Sequence, residues 1–181
     1  MANIEEKVEN LVKDKIENLG YSIYDVQYVK EGQEYYLRIF IEKENGSIDL
    51  NDCEKVNDAI NDLLDSADYI KDQYFLEVSS TGLEKILRKD KHLQDNIGSQ
   101  IQIKLFKPIE LQLENEEMVE QNKKSKSKKN KKQNNKVKEI QGKLKSFNEN
   151  QIAIELEDNQ ELNIQRSNIS IIKTVFDWNS I

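Results

Sequence analysis

The chain has 181 residues, enough for one or two small domains but too few for two large ones. Hydrophobic residues make up 36% of the chain and charged residues 34%. We therefore expect folded domains with small hydrophobic cores and an unfolded insert, rather than a disordered chain. The beginning, MANIEEKVENLVKDKI, has no apolar run of the kind that marks a signal peptide or a membrane span, which predicts a cytoplasmic protein without membrane association.

The formal net charge of −7 hides a strong asymmetry. Residues 123–138 contain nine lysines and no acid, so the rest of the chain has 18 basic and 34 acidic residues, a net charge of −16. An acidic body repels a phosphate backbone and attracts basic protein surfaces, whereas a lysine run does the opposite. A ribonucleoprotein partner would encounter both the negative charge of the body and the positive charge of the lysine run.

The first half of the chain predicts an αββαβ domain. Apolar residues recur at helical spacing from Ile4 to Leu19, and Gly20 follows where a helix is commonly closed. Residues 21–46 alternate with period two around KEGQ, which predicts a β-hairpin. A second helix over about 49–65 and a third strand, YFLEVS, complete the domain.

Past LRKDKHLQDNIG the pattern contains only short strands separated by turns, which predicts a small antiparallel barrel or sandwich. We place the domains at residues 1–95 and 96–181. Pro108 marks the point where the first strand of the second domain stops. A Lys-rich insert at about 111–138 separates the first two strands and is predicted to be a disordered hairpin loop.

The usual constellations of catalytic residues are missing from the sequence. None of the six glycines has the spacing of a phosphate-binding loop, and one cysteine with one histidine cannot form a zinc site. A serine nucleophile would need a base such as His92, which we interpret as a solvated helix residue. Cys53 lies on the apolar stripe of the second helix and is interpreted as a small hydrophobe. We therefore predict a protein that is not an enzyme and has no metal and no cofactor.

The stretch EVSSTGLEKIL, residues 77–87, places three hydroxyls and a glycine after a strand. Thr81 and Glu84 match a capping box, which predicts a short helix with Leu83 and Leu87 on its apolar face. The two serines before Thr81 are not explained by this turn and could face a partner.

Two further features of the sequence can each be interpreted in two ways. The tyrosines of the hairpin can pack across strands or stack on bases. The lysine run can be a solvated loop that keeps the barrel soluble, or an electrostatic tether to RNA. The lysines that would form this tether are Lys123, Lys124, Lys126, Lys128, Lys129, Lys131 and Lys132.

EVSSTGLEKIL resembles the signature of the bacterial ribosome maturation factor RimP family, whose usual form is EVSSPGL followed by Asp-Arg-Pro-Leu. IDLNDCEKVNDAINDLLD, IGSQIQIKLFKPI, GKLKSF, IAIEL and SNISIIKTVFDW are similar to other parts of that family. The resemblance implies an α+β protein with an N-terminal αββαβ domain and a C-terminal all-β barrel of Sm-like, or src-homology-3-like, type. Members bind the free small ribosomal subunit and assist its late assembly without catalysis, including incorporation of a basic ribosomal protein near the decoding region.

The resemblance also implies a partner-binding or interdomain surface. Its residues in this chain are Glu77, Ser79, Ser80, Gly82, Lys85, Lys107 and Pro108. Thr81 and Ile86 replace two family prolines, which predicts a more regular helix after the turn, and Lys85 lacks the planar fork of the usual arginine. The insert is longer than the usual turn.

The leading hypothesis is thus a monomeric assembly factor whose partners are ribosomal RNA and a basic ribosomal protein of the small subunit. The second is an Sm-like RNA-binding regulator acting away from the ribosome. The third is a phosphate-handling enzyme that uses the Ser-Ser-Thr turn.

Overall fold

The computed structural model describes residues 3–111 and 135–176. The chain divides into two compact units, Met1–Leu83 and Glu84–Ile181. The sequence placed the boundary after residue 95, whereas residues 84–95 cluster with the C-terminal unit.

The N-terminal unit has the predicted αββαβ order. Its elements are α1 (Ile4–Asn18), β1 (Ser22–Glu31), β2 (Glu34–Glu42), α2 (Leu50–Ala67) and β3 (Tyr74–Ser80). Each long helix begins with a capping box, formed by Asn3 with Glu6 in α1 and by Asp49 with Asp52 in α2. Because these pairs satisfy backbone N–H groups that have no partner within the helix, both helices start where the sequence predicts.

The three strands form one sheet in the order β1-β2-β3, with β2 antiparallel to β1 and parallel to β3. Both helices pack on the same side of this sheet. The core between them is apolar and contains Val8, Val12, Ile16, Tyr21, Val26, Leu37, Ile39, Ile41, Val56, Ile60 and Leu64. Since side chains alternate along a strand, every second residue of the sheet points to the side that has no helix.

The C-terminal unit is a short helix followed by five strands. Its elements are α3 (Asp90–Asp95), β4 (Gln100–Leu111), β5 (Asn135–Phe147), β6 (Gln151–Glu155), β7 (Glu161–Gln165), a 3₁₀ turn (Arg166–Asn168) and β8 (Ile169–Thr174). The strand order is β7-β6-β5-β4-β8, with every neighbouring pair antiparallel. The α+β class and the all-β C-terminal sheet are confirmed.

Closure of this sheet into a barrel is not observed, since β7 and β8 are its end strands and do not pair with each other in the described part of the chain. The prediction that the first strand stops at Pro108 is wrong, because β4 continues to Leu111. Pro108 lies instead within an irregularity of the β4–β5 pairing between Lys104 and Ile109. Proline has no backbone N–H to donate, so it is tolerated where the ladder is interrupted.

Residues 112–134 lie outside the described residues, and with them the seven lysines of the RNA-tether hypothesis and most of the predicted loop. The two strands that flank this segment are paired up to its ends, with Leu111 opposite Asn135.

Candidate partner-binding surfaces

The first four residues of EVSSTGLEKIL, residues 77–80, belong to strand β3. Glu77 lies opposite Arg38 of β2, and its Oε2 accepts a hydrogen bond from Arg38 Nε at 2.6 Å. The same guanidinium donates to both carboxylate oxygens of Glu31, at 2.7 and 3.1 Å. A planar guanidinium suits this paired geometry, so Arg38 joins all three strands through their side chains.

The charges in this cluster stabilise one another. Hydrogen bonds from Arg38 lower the pKa of the Glu31 carboxyl from its ordinary value. Hydrogen bonds to Glu31 and then Glu77 raise the pKa of the Arg38 guanidinium. Both carboxylates are about half exposed, so water screens the attraction and the cluster contributes little to stability by charge alone.

The two serines of the signature point to opposite sides of the sheet. Ser79 is half-buried and lies opposite Phe40, whereas Ser80 lies opposite the buried Ile41 on the helix side. The Cys53 thiol of α2 has a raised pKa, mainly because it is partly buried. Cys53 is half-buried on α2 and contacts its own sheet.

The prediction of a short helix after Thr81 is wrong. Residues 81–88 have no helical turn, and α3 begins only at Asp90. The Thr81 hydroxyl donates to Glu42 Oε1 at 3.3 Å instead of capping a helix. Gly82 has a φ of +75°, a left-handed conformation that disfavours a residue with a side chain.

Residues 85–87 pair with β8 instead. Lys85 accepts a hydrogen bond from the Thr174 amide at 2.9 Å, and its own amide donates to Thr174 Oγ1 at 2.9 Å. Leu87 donates to Ile172 O at 2.9 Å and is buried, while Leu83 is 59% exposed. The extended segment therefore places only one of the two leucines in the core.

Most of the residues that surround Glu77 and Ser79 on the N-terminal sheet were not predicted. We call this surface the helix-free face, because it is the side of the sheet opposite α1 and α2. It consists of Gln27, Val29, Glu31, Glu34, Tyr36, Arg38, Phe40, Phe75, Glu77 and Ser79. The sequence signal was the arginine in the middle of the apolar strand EYYLRIF, since an alternating strand buries one set of residues and presents the other.

Aromatic rings form the centre of the helix-free face. The rings of Tyr36 and Phe75 are stacked with centroids 5.5 Å apart, and the Arg38 guanidinium lies 5.0 Å from the Tyr36 centroid. Phe75 remains 52% exposed. The Tyr36 hydroxyl donates to Glu34 Oε2 at 2.9 Å, and this bond raises the pKa of the phenol. The face thus combines exposed aromatic area with carboxylates around it.

The other hairpin tyrosines pack within the N-terminal unit. Tyr28 and Tyr35 are stacked with centroids 5.3 Å apart, and Tyr21 is buried in the core. The Tyr21 hydroxyl donates to Asp52 Oδ1 at 2.7 Å. These contacts correspond to the packing interpretation of the hairpin tyrosines.

Lys107 and Pro108 lie in the C-terminal sheet at the irregular part of β4. The Lys107 amide donates to Asn168 Oδ1, and the Asn168 amide group donates back to Lys107 O, both at 2.9 Å. This pair of bonds fixes the Lys107 backbone while its side chain stays exposed. Next to it, Phe106 is 62% exposed. A fixed backbone here presents the Lys107 cation at the surface of this unit.

His92 is not a solvated residue, as the sequence suggested, because it is buried at 4% exposure. Its Nδ1 accepts from the backbone N–H groups of Arg88 at 3.2 Å and of Lys89 at 3.3 Å. These contacts make the imidazole a cap at the beginning of α3, which places the proton of the neutral ring on Nε2. A structural role therefore accounts for the histidine.

Net charge divides sharply between the two units. Residues 3–83 contain 8 basic and 19 acidic residues, a net charge of −11. Residues 84–111 and 135–176 contain 12 basic and 10 acidic residues, a net charge of +2. The acidity that the sequence assigned to the whole folded body therefore belongs to the N-terminal unit. A count made for each predicted domain would have found this.

Among residues 3–111 and 135–176, no group of three or more histidine, cysteine, aspartate or glutamate side chains could hold a metal ion. No helix within the same residues is long and apolar enough to cross a membrane.

Comparison with known families gives a match in the first half of the chain. The family model described as RimP N-terminal domain matches residues 11–84. The matched range runs from α1 to the end of the turn after β3, and so covers the sheet, α2 and the first part of EVSSTGLEKIL. The resemblance inferred from the signature residues is confirmed. Residues 11–84 of this chain are thus similar to the RimP N-terminal domain, which supports a relation of the chain to the RimP family of ribosome maturation factors.

Proposed function

We propose that this protein binds the free small ribosomal subunit in the cytoplasm and assists its late assembly by binding, without catalysis, without a cofactor and as a monomer. The observation that carries the proposal is the similarity of residues 11–84 to the RimP N-terminal domain.

The division of charge supports two kinds of partner on the subunit. A net charge of −11 on residues 3–83 repels phosphate and favours a basic ribosomal protein. The C-terminal unit and the lysines of residues 123–132 have the opposite tendency and favour ribosomal RNA. Each half of the chain would then contact the component of the subunit that its charge attracts.

We also propose that the C-terminal unit is an Sm-like barrel. The order β7-β6-β5-β4-β8 supports this, because the last strand returns to pair with the first strand of the sheet. β4 and β5 have 12 and 13 residues, which is long enough for a strongly bent strand to take part in both sides of a small barrel.

The signature residues in the two units would have different roles. Glu77 and Ser79 would contact a partner from the helix-free face, with Ser80 beside them at the end of β3. Gly82 and Lys85 would shape and present the turn, because Gly82 has a positive φ and Lys85 is fixed through its backbone. Lys107 and Pro108 would form part of the RNA-facing surface of the C-terminal sheet.

Co-sedimentation tests the central proposal. The full chain is mixed with free small subunits, with large subunits or with mature ribosomes, and is centrifuged through a sucrose cushion. We expect it to pellet with free small subunits only. Equal recovery with mature ribosomes, or no recovery with either, would contradict an assembly role. Binding to free RNA alone would favour the Sm-like regulator that acts away from the ribosome.

The lysine segment has its own test. Removing residues 112–134 is expected to make subunit affinity less dependent on salt, because fewer counterions are released from the RNA. A matched variant with Gln at the seven lysines of this segment keeps its length and should behave in the same way. An unchanged slope of log affinity against log salt in both variants would reject the tether.

Alanine at Ser79 and Ser80 addresses the enzymatic alternative. A binding surface should be weakened by the double change, whereas a nucleophile would be lost outright. Measurement of subunit affinity beside phosphate release from nucleotides would distinguish the two.

A further inference from the structure

The two edges of the N-terminal sheet differ in how they are protected. The β1 edge has a register shift between Ile23 and Asp25, and the Tyr28 amide donates to Glu5 Oε1 of α1 at 3.0 Å. Lys30 lies near the end of the same strand. Bulges, lysines and covering groups of this kind prevent the pairing of another chain with an exposed edge.

Within residues 3–111 and 135–176, none of these devices is found at the β3 edge. β3 is a seven-residue strand, YFLEVSS, without proline, glycine or lysine, and its register with β2 is unbroken from Tyr74 to Ser80. In the described residues it pairs with β2 alone. Such a strand offers backbone N–H and C=O groups along its outer side, which is the usual requirement for the addition of a further strand.

The side chains along this edge favour a cationic partner. Phe75 and Glu77 are neighbours on the helix-free face, at 52% residue and 44% side-chain exposure respectively. Glu31 and Glu34 lie on the same face, so this face has three carboxylates and one arginine, which pairs with Glu31 and Glu77. A further guanidinium from a partner would be attracted to the carboxylates and could lie over the exposed Phe75 ring.

We propose that the outer edge of β3 and the helix-free face bind an extended, arginine-rich segment of a partner protein by strand addition. Arginines at alternate positions of that segment fall on one side of the new strand, where they meet Glu77 and Phe75. The net charge of −11 on this unit selects a basic protein segment over an RNA strand. The assignment of that segment to the small subunit rests on the proposed function, whereas the recognition chemistry does not.

Peptide binding to the full chain tests the proposal directly. The probe is a fluorescent nine-residue peptide of alternating arginine and valine, and the control is the same peptide with citrulline, a neutral isostere of arginine. We expect the arginine peptide to bind in fluorescence anisotropy and the citrulline peptide to bind at least about 10-fold more weakly, since charge-assisted bonds are lost. A uridine 12-mer would bind the arginine peptide itself, so it is labelled and tested without the peptide. Glu77→Lys should not lower the affinity of the chain for this RNA. Equal binding of both peptides, or a parallel loss of RNA and peptide affinity in Glu77→Lys, would overturn the proposal.

Matched substitutions locate the site. Glu77→Lys and Glu34→Lys on the helix-free face should each weaken the peptide by about 10-fold, whereas Glu54→Lys on α2 makes the same charge change elsewhere and should stay within about twofold. Phe75→Ala is compared with Leu50→Ala, an 87% exposed apolar residue at the start of α2. Because Glu34 does not pair with Arg38, its variant keeps the test valid even if Glu77→Lys disturbs the sheet. Equal losses from Glu34→Lys and Glu54→Lys would reject this surface.

Backbone methylation tests the binding mode. A peptide methylated at alternate amides cannot donate from one edge, so methylation in one of the two registers should abolish binding while the other is tolerated. Retained affinity in both registers would reject strand addition.

Peptide binding and co-sedimentation, both measured on the wild-type chain, separate this inference from the proposed function. If the wild-type chain binds the arginine peptide but does not co-sediment with small subunits, the proposed function fails and the peptide site stands. If the chain co-sediments but the arginine peptide does not bind, the inference fails and the proposed function stands.

Discussion

Two leucines of the signature, four residues apart, give the sharpest test of the fold. Leu87 is 3% exposed in the core of the C-terminal unit, whereas Leu83 is 59% exposed. Replacing a buried leucine by alanine costs about 2–5 kcal/mol, since both the transfer energy and a cavity contribute. We therefore expect Leu87→Ala to lower the free energy of unfolding by about 3 kcal/mol.

The Leu83→Ala change should cost far less. A full leucine burial is worth about 1.5–3 kcal/mol, and roughly two fifths of it applies at Leu83, so the loss is about 1 kcal/mol or less without a cavity term. A capped helix would instead place both leucines on one face at i and i+4, and their costs would be similar.

Urea unfolding of the two variants distinguishes these arrangements. For a slope of about 2 kcal/mol/M, the Leu87→Ala midpoint falls by about 1.5 M and the Leu83→Ala midpoint by less than about 0.5 M. Far-UV circular dichroism follows the unfolding, and hydrogen exchange with mass spectrometry assigns the loss to β4 and β8. Thr81→Ala serves as a control, because a helix cap would cost about 1 kcal/mol there and the extended segment predicts less. Equal midpoint shifts for the two leucine variants would refute the extended segment.

Three further predictions concern stability. Gly142→Ala should cost about 1–3 kcal/mol in thermal unfolding, because its Cβ would lie 2.8 Å from the carbonyl oxygen of Glu155; an unchanged Tm would contradict this. His92→Leu should cost about 1–3 kcal/mol in urea unfolding, because two backbone N–H groups lose their acceptor, whereas His92→Asn should recover part of it. The pKa of Asp52 is lowered from 3.8 by hydrogen bonds from Lys43, the Asp49 backbone and Tyr21, so its contribution to stability is complete above the ordinary pKa and is lost as pH falls through the folded one. The stability difference between wild type and Asp52→Asn, measured by urea unfolding, should therefore be constant above about pH 5 and shrink below about pH 4, whereas a difference independent of pH would contradict the shift.

The N-terminal unit could be predicted because its signals are local. The apolar spacing of α1, the capping pairs at Asn3 and Asp49, and the positive φ of Gly20 and Gly32 involve residues a few positions apart. The alternation of β1 and β2 around Gly32 fixes their register for the same reason. Local rules and the final packing agree there, so the order of the elements is correct.

The turn after β3 could not be predicted because its partner is distant in sequence. Leu83 and Leu87 have helical spacing, but the backbone bonds of Lys85 and Leu87 go to Thr174 and Ile172, more than 80 residues away. A capping box can form at most two hydrogen bonds. Pairing with β8 satisfies several backbone groups and also buries Leu87 in an existing core. The long-range pairing therefore overrides the local pattern.

The role of the family signature can now be divided among its residues. Gly82 is required for its positive φ and Leu87 for the core, so these two positions have structural reasons, whereas the backbone bonds at Lys85 require only a residue other than proline. Glu77 joins the sheet through Arg38 but keeps nearly half of its surface exposed, and it lies on the edge strand for which the described part of the chain has no protective device. An edge without a bulge, a lysine or a covering group is open to pairing with another chain, and the exposed Glu77 carboxylate favours a cationic one. This is why we place the partner at β3 rather than at the turn that follows.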